Sequence, residues 1–397
     1  MISLSPYPGD PRPRRAAETL LNEGMTVDFI CIADGKFPRR EKANGLDVRR
    51  LAIEHRRGGK LAYAYEYASF ILATASILAW RSLKKRYDLV YVHNMPDVLV
   101  VSALFPKLLG AKVVLDQHDP MPELMTTIFN LDASSFVVRF MTWLEKWSIA
   151  RVHHLITVNV ACKRIFCGRS CPAEKISVVM NAPDDKIFQF RAAEPMSGGD
   201  ATRKPFVLMY HGSLVERNGL DLAVEALAQV REQIPSAQLK IYGRKTPFLD
   251  KVMGEIRTKQ LEDCVQYLGP KKLEELVAEI AACDVGVIPN QRSAFSEINT
   301  PTRIFEYLAL GKPVIAPRAG GICDYFHEDS LVFFELGNAG DLAERIQYVY
   351  THPAEVFEIA RRGQEIYRDH NWPTERKRLT DVVSGLVGAR AKATDRA

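Results

Sequence analysis

Short apolar runs alternate with amphipathic stretches along the chain. ISLSP (2–6), VDFICIA (27–33), LVYVHN (89–94), KVVLDQHD (112–119), HLITVN (154–159) and ISVVMNA (176–182) are β-branched runs bounded by polar or turn residues, and predict buried strands. Helical periodicity near 11–23, 60–86, 97–109, 134–152 and 160–168 fills the gaps. This alternation argues for a parallel, doubly wound sheet. It pauses across 183–205, a polar stretch rich in Pro and Gly that reads as a linker. A second series then begins: FVLMYHGS (206–213), QLKIYGR (238–244), CVQYLGP (264–270), DVGVIP (284–289), PVIAP (313–317) and LVFFEL (331–336), with helices at 219–233, 271–282, 302–311 and 339–351. The expected α/β architecture is two Rossmann-like domains, 1–182 and 206–370, with a closing helix in 371–397 that packs back on the first. Ligands of such sheets bind beyond the carboxyl ends of strands, and two such domains would face one another across a cleft.

Composition narrows the class. The 397 residues are 47% hydrophobic and 25% charged, which is ordinary globular usage, and the length fits two domains. A net charge of +5 is far below that of a dedicated nucleic-acid binder. It is uneven: residues 1–190 hold 26 Lys and Arg against 19 Asp and Glu, and the rest 27 against 29. Seven cysteines with no CxxC pair argue against a disulfide framework or zinc site and for a reducing compartment. Met1 leads directly into ISLSPYPGDPRPRR, unlike a signal peptide. The most apolar stretch, Tyr67–Trp80, falls short of the ~20 residues that span a bilayer. The expected setting is the cytoplasm, with peripheral attachment to the inner membrane face.

Candidate chemistry lies in loops after strands. Gly212, Ser213 and Arg217 sit where FVLMYHGS enters a helix: backbone amides there favour an anion, Gly212 admits a phosphate, and Arg217 offers a forked donor. A plain turn with a solvated Arg is the competing reading. Arg244, after IYG, is a pocket-rim candidate. In TPTRIFEYLALGKPVIAP (300–317), Pro301 suits a first helical turn and Gly311 an end. Glu306 shares a face with Thr302 and Arg303; its carboxylate could accept both hydroxyls of a ribose, with Thr300, Thr302 and the first amides meeting a diphosphate. Alternatively Glu306 offsets the helix dipole and pairs with Arg303.

The set as a whole resembles a family-four retaining glycosyltransferase of the GT-B fold, across essentially the full chain. The resemblance is carried by SPYPGDPRPRR, VHNMPD (92–97), LDQHDPMPEL (115–124), VVMNAPDDKIF (178–188), YHGSLVERNGLDLAVEAL (210–227), YLGPKKLEELVAEIAACDVGVIP (267–289) and the 300–317 segment. It implies that the C-terminal domain binds a nucleotide-sugar and the N-terminal domain an acceptor. Of the family's two glutamates eight residues apart, the second matches Glu306, implied to hold the ribose; the first falls on Ile298, beside Glu297. Pro301, Thr302 and Arg303 resemble the subgroup with Pro-x-Lys/Arg before Phe-Glu-Tyr. The family's diphosphate-gripping Arg and Lys align with Ser213 and Asn218, and Arg217 is the expected substitute. His118 matches the histidine beside the donor sugar, and Gly9 the glycine loop near the donor phosphate. His93, Asn94 and Asp97 could line an acceptor pocket, Asn94 equally serving as a helix cap.

No Asp-x-Asp motif occurs, so no metal and no cofactor is expected. The basic series Arg12, Arg14, Arg15, Arg39, Arg40, Lys42, Arg49, Arg50, Arg56, Arg57 and Lys60, followed by the Tyr63–Trp80 helix and Lys84-Lys85-Arg86, resembles a surface that meets anionic headgroups or a diphosphate-lipid acceptor; a solvated basic face is the alternative. The expected function is transfer of a hexose, with retention, from an NDP-sugar, UDP foremost, to a lipid-linked or growing surface glycan. A GT-B sugar-nucleotide epimerase and a non-catalytic scaffold are the competing readings.

Overall fold

The computed structural model describes residues 1–53, 60–195 and 205–394, in two compact units: Met1–Asn181 with Glu375–Ala397, and Ala182–Thr374. The first unit holds strands β1 (Val27–Ile32), β2 (Arg40–Ala43), β3 (Leu46–Leu51), β4 (Leu89–His93), β5 (Lys112–Gln117), β6 (His154–Thr157) and β7 (Ile176–Val178). They form the orders β1-β3-β2 and β4-β5-β6-β7, parallel except for the β2–β3 pair. Ile2 joins the two by bridging Ile30 and Val92.

Three local outcomes differ from the periodicity. The strand expected at 2–6 is that single bridge, because Pro6 and Pro8 have no N–H to continue a ladder. The β2–β3 hairpin was not anticipated, since exposed REKA carries no apolar alternation. Its Asn44-Gly45 turn, with both residues at positive φ (49° and 82°), is nevertheless the commonest signature of a two-residue hairpin. The helix expected over 97–109 divides into a 3-10 segment, Asp97–Ala103, and a short helix, Leu104–Leu108, while an unanticipated helix, Met121–Phe129, follows β5.

The last helix, Trp372–Thr394, belongs to the first unit. Leu379 and Val383 join Ala16, Ala17, Leu20 and Phe29 in one core, and the buried Glu375 carboxylate accepts the Met180 amide at 2.7 Å. Residues 196–204 of the expected linker lie outside the described residues, as do Arg56 and Arg57 of the basic series.

The second unit carries β8 (Phe206–His211), β9 (Ala237–Tyr242), β10 (Val265–Tyr267), β11 (Val285–Val287), β12 (Val314–Pro317) and β13 (Val332–Phe334), all parallel, in the order β10-β9-β8-β11-β12-β13. Counted from β8 this is 3-2-1-4-5-6, the dinucleotide-fold order, whose ligand crevice opens where the order reverses, between β8 and β11. Helices Leu220–Val230 and Ala339–Thr351 cover one face through Ala223, Val224, Leu227, Leu342, Ile346 and Val349. Helices Pro247–Thr258 and Pro353–Asp369 were not anticipated, although Leu249, Val252 and Ile256 recur at helical spacing and all are buried.

Gly219 sets the entry to the helix after β8. Its φ is +67°, and an added Cβ would lie 1.8 Å from the Pro289 carbonyl oxygen. Gly219→Ala is therefore expected to strain the backbone and separate the loops after β8 and β11, lowering stability by about 2–4 kcal/mol. Chemical denaturation of the two proteins under identical conditions checks this, and an unchanged midpoint would refute it.

Candidate functional site

At the carboxyl ends of β8, β9 and β10 the second unit opens into a pocket of about 550 Å³, lined by His211, Gly212, Ser213, Arg244, Lys271, Arg303 and Glu306 among others. Gly212 has φ +126°, and its Cα stands where a Cβ would be 3.3 Å from the Arg303 side chain, so the loop runs tight against the helix Thr302–Ala309. Arg303 donates from Nη1 to the His211 carbonyl at 2.8 Å and lies 4.8 Å from the Tyr210 ring centroid. These contacts fix a guanidinium at the pocket wall.

Glu306 does not take Arg303 as its partner. Its Oε2 lies 2.6 Å from His211 Nε2, and His211 Nδ1 lies 2.9 Å from Tyr307 Oη, which donates to the Met209 carbonyl at 2.7 Å. With the phenolic proton committed to Met209, the Tyr307 oxygen must accept, so Nδ1 carries a proton. The short Nε2–Oε2 contact then needs a proton of its own. His211 thus engages one Glu306 oxygen, and the other remains for a ligand. Burial drives the Tyr307 phenol well above its ordinary pKa, which keeps this donor in place.

Other residues singled out from the sequence fall elsewhere. Arg217 is not among those lining the pocket; its guanidinium lies 5.9 Å from the Phe295 ring centroid, and the short 3-10 turn Glu216–Asn218 positions it. Thr300 spends its hydroxyl on the Gly321 carbonyl at 2.7 Å, Pro301 is the buried residue preceding the helix, and neither they nor Thr302 line the pocket. Glu297 pairs with Arg292 at 3.3 Å. Lys271, which sequence reasoning passed over, lines the pocket, held at 2.7 Å by Glu279, which also accepts from Tyr242 at 2.6 Å. The signal was LGPKK, a cationic pair immediately after a strand end.

The first unit carries a second constellation at the ends of β4 and β5. Asp116 is buried, gripped by Arg12 through Nε (3.1 Å to each oxygen) and Nη2 (2.6 Å), and accepts from Tyr91 Oη at 2.9 Å. His93 Nδ1 lies 3.3 Å from Asp116 Oδ2 and 3.2 Å from His118 Nε2. Burial works to raise the Asp116 pKa, but Arg12 together with His118 and His93 outweighs it and holds the carboxyl well below the usual carboxylate range, whereas burial lowers His93 to about 4 and leaves it neutral. The carboxylate beside His118 is thus Asp116, two residues back on the same strand face. The parallel register His93↔Asp116 supplies the other ring.

This corrects two expectations. His93, Asn94 and Asp97 do not present themselves to solvent as an acceptor pocket. All three are buried: Asn94 holds the His118 amide (2.8 Å), the Asp119 carbonyl (3.1 Å) and Asp97 (2.9 Å), so they build the loop beneath His118. The basic series is also not one solvated face. Arg12, Arg15 and Arg50 are buried, Arg15 against Asn181, and Arg50 against the Tyr7 and Pro38 carbonyls and Glu41. Gly9 is exposed in the loop between Ile2 and the first helix. Among the described residues, His93, Asp116 and His118 are the one group spaced for a metal ion. Arg12 and Tyr91 already occupy both Asp116 oxygens, so a cation there would face a guanidinium.

Comparison with known proteins agrees with both units. Residues 10–182 match the family described as glycosyl transferase 4-like domain, and residues 205–352 that described as glycosyl transferases group 1. The chain belongs to the GT-B glycosyltransferases. It is 27% identical over 220 residues to a putative colanic acid biosynthesis glycosyltransferase, WcaL, of Escherichia coli, covering 54% of this chain and 52% of that one. It thus spans about half the length of the curated relatives it matches. Sucrose-phosphate synthase from Thermosynechococcus elongatus shares the fold with a TM-score of 0.73 at 19% identity, covering 95% of this chain and 93% of that one. Anabaena HepE, solved with UDP-glucose, does so at 0.71 and 17%, covering 97% and 98%.

Beneath the His118 loop, Asp97 accepts amide hydrogens from Asn94 and from Gln117 (3.1 Å), yet burial pushes its pKa up to about 7. An unfolded carboxyl titrates near 4, so the folded state binds the extra proton between pH 4 and 7. Stability is lost as pH rises through that window. The Gln117 Oε1 atom is buried with no partner, so the amide of Asp97→Asn can donate to it once Gln117 rotates. That variant is expected to melt at a higher temperature than the parent at pH 8, with the gap closing toward pH 4; melts across that range test it.

Proposed function

We propose that the chain transfers a hexose, with retention of anomeric configuration, from a UDP-sugar to a lipid-linked or growing surface-polysaccharide acceptor. The observation that carries the reading is the pocket at the carboxyl ends of β8, β9 and β10 in the second unit, where a half-committed carboxylate, Glu306, stands among Arg303, Arg244 and Lys271. A nucleoside diphosphate needs these two things: an acceptor for its ribose hydroxyls and cations for its phosphates. The UDP-glucose complex of HepE supports uridine, and the colanic acid relative supports a polysaccharide product.

In this reading Glu306 accepts the ribose hydroxyls through the oxygen His211 leaves free. Gly212 and Ser213 admit the diphosphate, which Arg303, Arg244 and Lys271 neutralise, with Lys271 taking the part expected of Arg217 and no metal called upon. His118 keeps the role implied by its family counterpart, a hydrogen-bond partner of the transferred sugar. Its Nε2 faces His93 Nδ1, which favours a ring whose other nitrogen is turned away from the buried cluster. Transfer forms a bond between acceptor oxygen and anomeric carbon as the bond to the leaving phosphate oxygen breaks. The acceptor's proton passes to that phosphate oxygen on the same face, so no pair of carboxylates is needed. The Pro301-Thr302-Arg303 turn before Phe305-Glu306-Tyr307 supports assignment to the subgroup with Pro-x-Lys/Arg at this position.

Glu306→Ala is expected to weaken UDP binding by roughly 10- to 100-fold, about 1.4–2.8 kcal/mol, with the fold retained; calorimetry giving the parental affinity would remove Glu306 from the site. His118→Ala should lower kcat while leaving UDP affinity near the parental value, and equal losses in both would contradict its role. A UDP-sugar panel scored by released UDP, with and without glycan acceptor, tests the reaction itself. Isomerisation of the donor without acceptor would mark an epimerase, and failure of every donor to raise the melting temperature a non-catalytic scaffold.

A further inference from the structure

Two helices of the first unit carry large apolar residues on their outer faces as well as their inner ones. On Lys60–Lys84, Glu66, Thr74 and Ser82 are buried beside Phe70 and Leu78, whereas Leu72 (68% exposed), Trp80 (56%) and Leu83 (73%) face outward. Helix Phe136–Ala150 repeats the arrangement. Glu145 and Ser148 are buried, and Phe136 (81%), Phe140 (43%) and Trp143 (54%) are exposed, their rings stacked in sequence with centroids 6.3 and 5.9 Å apart. Spacings of three, four and eight keep each outward set on one helix face.

Two of these inward polar groups are bonded within the unit. Thr74 donates to the Phe70 carbonyl at 2.5 Å, and Glu145 holds Arg169 at 2.6 Å and Ser170 at 2.7 Å. Each helix also has an apolar outer face. Both pack against the same segment, Asp97–Ala103, and each leaves exposed apolar residues of the kind that mark an interaction surface.

Charge identifies the occupant. Each helix contains one acidic residue, Glu66 and Glu145, and both are buried. The outward charges are therefore cationic: Lys84, whose ammonium lies 3.8 Å from the Trp80 ring centroid, and exposed Arg139 and Lys146. In a symmetric contact with a second copy these faces would set cation against cation. Anionic headgroups would instead complement them, and aromatic rings flanked by Lys and Arg suit the boundary between headgroups and acyl chains. Among the described residues, no helix is long and apolar enough to cross a membrane. We infer that the outer faces of Lys60–Lys84 and Phe136–Ala150 dock the first unit on an anionic lipid bilayer. The sequence pattern assigned this role to the basic first 60 residues with the Tyr63–Trp80 helix; burial removes Arg12, Arg15 and Arg50 from that surface and the fold adds the second helix. The inference rests on the proposed function only in that a lipid-linked acceptor gives the docking a use.

Flotation of the full chain with vesicles of phosphatidylcholine, alone and mixed with phosphatidylglycerol, tests it without any sugar nucleotide, so its outcome is independent of transfer activity. The parent is expected to float with the anionic vesicles, with a blue shift of tryptophan emission. The pairs Leu72→Ser with Trp80→Ser, and Phe140→Ser with Trp143→Ser, should each weaken binding at least roughly tenfold with melting temperature unchanged. Arg139→Glu with Lys146→Glu should abolish the preference for anionic lipid while leaving the apolar face intact. Absence of binding to anionic vesicles, parental binding by all three variants, or a concentration-dependent dimer that the serine pairs dissolve would overturn it.

Discussion

The first unit is organised around one buried negative charge. Asp116 sits on a central strand, and its oxygens gather Arg12 from the first helix, Tyr91 from the neighbouring strand and, more loosely, two histidine rings. Arg12 then reaches the Val179 carbonyl just beyond β7 with its remaining nitrogen. An isolated carboxylate or guanidinium in such a place would cost several kcal/mol, and removing either partner of a buried pair typically costs 3–5 kcal/mol. Since the folded-state pKa of Asp116 is depressed, that contribution is present above the ordinary carboxylate range and is lost on acidification through the lowered value. Helix and neighbouring strand are pinned to the same two oxygens, and the loop bearing His118 leaves the Asp116 strand directly above them.

The second unit handles charge differently. Its carboxylate lies at the edge of a pocket and is half engaged: His211 takes one oxygen, and a tyrosine anchored on a backbone carbonyl orients His211. A group held on one side and open on the other is pre-organised for a ligand without the cost of a fully buried ion. The chain thus uses a sealed ion pair in the first unit and a carboxylate engaged on one side only in the second.

The doubly wound architecture was legible because parallel strands buried on both faces leave continuous β-branched runs, as in Phe206–His211 and Lys112–Gln117. The Asn44-Gly45 hairpin was equally written in the residues, but its exposed charged strand hid it. Helix Pro247–Thr258 was missed although Thr246 caps it by accepting the Leu249 amide and Leu249, Val252 and Ile256 mark its inner face. In the candidate sites, Glu306, Arg303 and His118 could be picked out by position after a strand or at a helix start. The partnerships could not. Nothing local distinguishes Arg12 from Arg14, yet one is sealed against Asp116, 104 residues away, and the other pairs with Glu18 one turn along its own helix. Long-range pairing is a property of topology, and the hydrophobic pattern reports faces rather than neighbours.

The helix Trp372–Thr394 gives the first unit an unusual history. Its core is assembled from two stretches of chain separated by the whole of the second unit, and the Glu375 carboxylate that receives the Met180 amide is made 195 residues after its partner. A ribosome delivers chain from the amino end at about 5–20 residues per second, so on the order of ten seconds or more must pass between the emergence of the first sheet and the arrival of Leu379 and Val383. Throughout that interval the apolar surface around Ala16, Ala17 and Leu20 waits for its cover. The second unit suffers no such delay, being one continuous stretch, and can be complete before the unit that was begun earlier.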